Sequence, residues 1–354
     1  MLMHIKRILA ASVVISAVLA QETVCNGYAE LCDRKYSNVT SVGAHDSPFI
    51  GNSSMTNQDW GVSAQLDHGA RMLQGQIHRQ GQALHLCHTN CFIHDGGSLL
   101  DYLTQVKTWL DKNPREVLTL LFTNSDSIGV EIVKQPFVDS GILDMAYHPQ
   151  SPTTAAGDWP TLASLISTNQ RVVIFMDYHA DHSKVPQILD EFSHFWEDPY
   201  NAVESTWPCT RDRGDSSSGM YIHNHFLDKK ETLLGTDIFT PDTDKLTTTN
   251  AASGEGSLGA AIDNCVAKHT QPPTFVLVDY ESHGNGSVYE AAAAANGVQY
   301  VAKGDIHPPT PAQLSHEMDD NAGEDTSDAL AVALAQHLLT LTLPATLALS
   351  LLVL

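Results

Sequence analysis

Eight short apolar runs recur along the chain, and they most constrain its fold. They occupy residues 40–44, 71–77, 83–87, 117–122, 171–176, 220–222, 275–278 and 298–301. Runs this short and continuously apolar suit strands of a parallel sheet covered on both faces. Helical patterns fall between them. Ser98 is placed to cap a helix whose Leu99, Leu103, Val106 and Leu110 share one face, and Pro114 ends it. Residues 159–168, 185–195 and 289–296 read as further helices. About eight strands alternating with helices in one domain predict the α/β class and a TIM-type (β/α)8 barrel. A doubly wound open sheet is the alternative. No internal repeat is visible, and residues 247–257, rich in Thr, Ala, Ser and Gly, read as a flexible excursion.

The ends follow other rules. Residues 1–20 read as a signal peptide: Lys6 and Arg7 precede an apolar stretch, and Ala20 marks the cleavage point. Residues 21–310 form the expected domain. Residues 311–329 read as a polar linker with a candidate attachment site. Residues 330–354 read as a hydrophobic GPI signal rather than a tail anchor. The expected location is therefore extracellular, at the cell surface or wall.

Lys and Arg total 19 against 41 Asp and Glu, a net charge of −22. Such a balance argues against nucleic acid and against electrostatic capture by anionic membranes. The six cysteines are even in number, as in a disulfide-bonded secreted chain. Spacing favours Cys25–Cys32 and Cys87–Cys91, leaving Cys209–Cys265, with a zinc site at Cys87 and Cys91 as the lesser alternative. Sequons stand at Asn38, Asn52 and Asn285.

Barrel chemistry sits at the C-terminal ends of strands. The polar residues there are His45 and Asp46, Gln74 and Gln76, His88, Asp177 and Tyr178, His223 to His225 around Asn224, and Asp279 and Tyr280. Two His from different strands plus a carboxylate make an acid–base constellation. His68, His78 and His94 carry no motif and read as surface or loop residues, and His85 reads as packed against a helix. His223 with His225, or Asp177 with His179, could serve a metal.

The run Ser41-Val-Gly-Ala-His45-Asp46-Ser47-Pro48-Phe49 resembles the first catalytic block of phosphatidylinositol-specific phospholipase C, and the chain as a whole resembles the secreted, fungal-type phosphodiesterases of that superfamily. Matching blocks follow in order around Gln74 and Gln76, at Leu84-His-Leu-Cys-His88, from Trp109 to Val117, at Asp177-Tyr178, at Asn224-His225 and at Asp279-Tyr280. The resemblance implies a distorted TIM barrel and phosphoric diester hydrolysis. His45 would be general base on the inositol 2-hydroxyl and His88 general acid for the leaving oxygen. Asp279 would orient His45, and Asp46 would assist the leaving-group side. Gln74, Gln76, Asp177, Tyr178, Asn224, His225 and Tyr280 would line the substrate. The implied partner is a phosphoinositide or related phospholipid.

One departure matters. Bacterial members carry an Asp and an Arg where this chain has Gln74 and Gln76, and calcium-dependent members carry carboxylates. Two amides neither clamp a phosphate by charge nor make a strong calcium site. No cofactor is therefore expected. Two other classes remain: a metal-dependent phosphodiesterase, and a non-catalytic lipid- or glycan-binding barrel. Oligomeric state is not legible.

Overall fold

The computed structural model describes residues 24–321 apart from 216, 218, 234 and 235. The expected signal peptide and the expected hydrophobic tail lie outside the described residues. The described residues form thirteen strands: β1 Ser41–Ala44, β2 Met72–Gln80, β3 Ala83–His88, β4 His94–Ser98, β5 Leu118–Thr123, β6 Val172–Met176, β7 Ile188–Asp190, β8 Phe195–Glu197, β9 Arg213–Gly214, β10 Met220–Asn224, β11 Asp228–Leu233, β12 Thr236–Pro241 and β13 Phe275–Val278. Eight run parallel in the order β7-β6-β5-β2-β1-β13-β10-β8. Among the described residues no ladder joins β7 to β8, so the barrel is open along that seam. The protein is thus a single α/β domain on a distorted TIM-type barrel.

Local signals placed several elements. Ser98 Oγ accepts from the N–H groups of Leu100 and Asp101 and starts the helix Leu99–Lys112. That helix buries Leu99, Leu103, Val106 and Leu110 against the barrel wall. Thr161 caps the helix Leu162–Ser167 through Ser164 N–H. The barrel strands β5 and β6 are buried almost throughout, as two-faced cover requires.

Other expectations fail for identifiable reasons. The apolar spacing in 185–195 fits a helix, but the chain forms β7 and β8 instead. The free edge of β6 takes Ile188 and Leu189 into its ladder. Residues 298–301 form no strand; Gly297, at φ +62°, turns the chain so that Val298 N–H bonds Ala293 O, and Val301 is exposed. Strands β7 and β8 complete the eight parallel strands. Residues 83–87 do not join the barrel. They belong to β3, which folds back antiparallel on β2 and pairs with β4. Part of the expected linker is helical, as Pro311–Asn321, and Glu317 accepts from Gly61 N–H at 2.7 Å.

The three expected disulfides, Cys25–Cys32, Cys87–Cys91 and Cys209–Cys265, are all formed. Asn38, Asn52 and Asn285 are exposed. No helix among the described residues is long and apolar enough to cross a membrane.

Candidate active site

The site grows from the end of β1. His45 and Asp46 follow Ala44 directly, and Asp46 holds φ +45°, where a short polar side chain is tolerated better than most. Across the sheet, β13 ends in Val278 and delivers Asp279 beside His45. His45 Nδ1 donates to Asp279 Oδ1 at 2.8 Å, which leaves Nε2 for proton transfer. Asn57 Nδ2 donates to the same Asp279 oxygen at 3.0 Å. Gln58 Nε2 donates to the carbonyls of His45 and Val278, tying the two strand ends together. The other face of the imidazole stacks on Phe226, with centroids 3.8 Å apart and planes 5° from parallel.

His88 arrives from a different element, the hairpin strand β3. Its Nε2 lies 3.7 Å from Asp46 Oδ2, and His45 Nε2 lies 3.8 Å from the same oxygen. One buried carboxylate thus stands between two imidazoles. Its partners fix it. Gln76 Nε2 donates to Asp46 Oδ2 at 2.7 Å, and Asp46 N–H donates to Gln74 Oε1 at 2.7 Å. Gln76 Oε1 also accepts from Thr89 N–H, so this amide links Asp46 to the loop after His88.

The electrostatics follow from burial and charge. Burial opposes the imidazolium of His45, but Asp46 and Asp279 outweigh it and push its pKa up to about 9. Burial raises Asp46 above the usual carboxylate range, against the pull of His45 and His88. Asp228, at the start of β11, is pushed up to about 7 by burial and by Asp279. A general base must be deprotonated. If the site turns over, kcat/KM is therefore expected to rise with pH toward about 9. Asp46→Asn should move the midpoint down by removing a charge that favours the imidazolium. The stability sign is opposite. A His raised above its ordinary 6.5 stabilises the fold fully below that value and loses the contribution as pH rises through about 9. A pH–rate profile on both proteins, with denaturation at pH 6 and about 9.5, checks both signs. An Asp46→Asn midpoint that does not fall would sever the link to Asp46.

The remaining expected residues divide. Tyr280 is buried; its hydroxyl donates to Thr56 O at 2.6 Å, and its N–H donates to Asn57 O. Asn224 Nδ2 donates to Asp198 O at 2.9 Å and Glu197 Oε2 at 3.3 Å, and its N–H donates to Asp198 Oδ1. His225 is fully buried, bonded to Thr249 O at 2.9 Å and to His223 Nε2 at 3.3 Å, with Trp207 4.0 Å from its ring. Asn224 and His225 therefore spend their polar atoms on the fold. So does Gln76. Asp177 Oδ1 accepts from Asn124 N–H and Tyr178 N–H, and burial pushes its pKa up to about 6. Tyr178 is 48% exposed.

The donor sets considered for a metal fit poorly. His223 Nδ1 pairs with Asp198 and its Nε2 with His225. Cys209, His223 and Cys265 lie close together, as do Cys87, Cys91 and Asp95, but every one of those sulfurs is in a disulfide. The amides of Gln74 and Gln76 are engaged with Asp46 and Thr89.

Sequence reasoning missed Asn57, Gln58, Phe226, Asp228 and Asn250. Thr56, Asn57, Gln58 and Asp59 form a polar run that is wholly buried, which no periodicity marks. The supposed excursion at 247–257 is partly built into the site: Asn250 Nδ2 donates to the carbonyls of Asp279 and Tyr280, both at 3.0 Å. His78 is buried and pairs with Asp126, while His68 pairs with Glu281. His85 pairs with Asp95 across the hairpin.

A distorted parallel barrel with two imidazoles converging on a buried carboxylate defines a two-histidine barrel of the phospholipase C type. The chain belongs to the PI-PLC X family, whose model matches residues 31–296. It is 43% identical over 289 residues to an "uncharacterized secreted protein" of Arthroderma benhamiae, covering 79% of this chain and 65% of that one. It is 42% identical over 298 residues to a "PI-PLC X domain-containing protein 1" of the same fungus, covering 82% of this chain and 95% of the relative. A double mutant of phosphatidylinositol-specific phospholipase C from S. aureus shares the fold, with TM-score 0.50 at 14% identity over 86% of this chain and 96% of that one.

Proposed function

We propose that the protein is a secreted, surface-anchored phosphoric diester hydrolase that cleaves a phosphoinositide or related phospholipid by His45/His88 acid–base chemistry. The observation that carries this reading is the convergence of His45 Nε2 and His88 Nε2 on Asp46 Oδ2, with His45 Nδ1 held by Asp279. The substrate 2-hydroxyl attacks phosphorus, and its proton passes to His45 Nε2. As the new P–O bond forms, the bond to the glycerolipid oxygen breaks, and His88 supplies that oxygen with a proton. Hydrolysis of the cyclic product runs the roles in reverse: His88 takes a proton from water, and His45 returns one to the 2-hydroxyl. Asp279 fixes the His45 tautomer and stabilises the imidazolium that forms. Secretion is supported by three disulfides and by the name of the first relative. The anchor rests on the sequence of 330–354 alone.

Phosphorus-31 NMR of the purified protein with phosphatidylinositol micelles tests the reading. An inositol cyclic-phosphate signal is expected, unchanged after exhaustive chelation. A signal that disappears on chelation and returns with a divalent cation would favour the metal-dependent alternative. A folded protein that releases no cyclic phosphate from this or other inositol phosphodiesters would leave the barrel as a binding module.

A further inference from the structure

The reaction above generates charge on the phosphate, and the two positions that would carry a clamp hold neutral amides. Gln76 is bonded at both ends of its amide, and Gln74 holds Asp46 N–H. Neither amide brings a positive charge to the phosphate oxygens. The antiparallel hairpin supplies a candidate group. In the β3–β4 ladder His88 stands directly opposite His94, and cross-strand partners project from the same face. Both rings stand edge-on to the buried Phe49, His88 at 5.4 Å and His94 at 5.6 Å. Phe49 lies three residues after Asp46, so one aromatic side chain seats both imidazoles beside the loop that carries the central carboxylate. That packing is close: a Cβ on Gly96 would lie 2.9 Å from Phe49 Cδ1 and 3.0 Å from Pro48 O. Unlike His45, His68, His78 and His85, the His94 ring has no hydrogen-bond partner among the described residues.

We infer that His94 is the phosphate-stabilising residue of this site, donating from its imidazole to a non-bridging oxygen of the substrate phosphodiester in place of the absent cationic clamp. The inference rests on the two-histidine reading of the site. The charged and titratable groups that bear on His94 are His88 on β3, Asp95 on its own strand and Asp46 on the loop after β1. Burial and His88 hold its pKa below the ordinary value, against Asp95 and Asp46. Burial thus favours its neutral form, and a phosphate anion beside the ring favours its protonated form. No covalent step is assigned to it: the proton it donates in the hydrogen bond stays on the ring.

Two substrates separate this role from that of a general acid. One is phosphatidylinositol, with an alkoxide leaving group. The other is an inositol p-nitrophenyl phosphate, whose leaving group needs no proton. His94→Gln is expected to lower kcat by about 10²-fold on both, as loss of a transition-state hydrogen bond does. His88→Gln should be severe on the lipid and mild on the nitrophenyl ester. His94→Arg should recover part of the loss, because it restores a cation. Equal activity of His94→Gln and wild type, or a His94→Gln defect rescued by the nitrophenyl leaving group, would overturn the assignment.

A binding measurement keeps the outcome decisive even if the wild type turns over neither ester, a result that would count against the functional reading instead. NMR titration of the histidine rings with inorganic phosphate should raise the His94 pKa in the folded protein. A His94 value that stays fixed while those of His45 or His88 move would overturn the inference independently of turnover.

Discussion

Replacing His45 with Ala is expected to lower turnover by about 10²–10⁴-fold while leaving the fold intact, the range for loss of a positioned general base. The side chain is 18% exposed and sits at the end of β1, so its removal disturbs no ladder. Its losses are the bond to Asp279 and the stack on Phe226. Asp279→Asn should fall between His45→Ala and wild type, because Asn57 still anchors residue 279 while the stabilising charge is gone. Circular dichroism and a denaturation curve establish folding, and phosphodiester turnover gives the rate. A folded His45→Ala protein with wild-type turnover would remove His45 from the mechanism and with it the two-histidine reading.

The second large effect is on stability. A double Cys209→Ala, Cys265→Ala variant is expected to lose about 4 kcal/mol, from the loop-closure entropy of a bridge spanning 56 residues. The bridge ties the helix Leu258–His269 to the loop before β9. Around it, Trp196 stacks on Tyr221 with centroids 4.4 Å apart, and His269 Nε2 donates to Cys209 O at 2.9 Å. Asn264 holds Trp207 O at 3.0 Å, and Trp207 packs on the buried His225 ring, with centroids 4.0 Å apart. Urea denaturation of the double variant, which leaves no unpaired thiol from this bridge, measures the loss. A change below about 1 kcal/mol would mean that packing alone constrains the segment, against the entropic account.

Several features were legible because their causes are local. An apolar run reports a buried strand through composition alone, and β1, β2, β5, β6, β10 and β13 all lie where such runs fall. Ser98 and Thr161 start their helices because a side-chain oxygen needs only the next turn's N–H groups. His45, Asp46, His88 and Asp279 could be picked out by their places at strand ends. The failures share a different cause. Residues 185–195 carry a spacing that serves a helix or two strands equally, and the open edge of β6 decided the matter. Strand β3 has the composition of a barrel strand, yet the hairpin at Gly81 turns it onto β2, which alone brings His94 opposite His88.

The sequence by itself determined the α/β class and the residues at the strand ends, located six of the eight barrel strands and favoured the disulfide pairs that form, since each depends on neighbours a few positions away or on simple pairing. Only the tertiary structure decided that Gln76 braces Asp46, that Asn57 and Asn250 hold the β13 end, and that His94 stands opposite His88. Those contacts join residues up to 222 positions apart. Their formation depends on which strands lie side by side and in what register, and no local pattern of side chains encodes that.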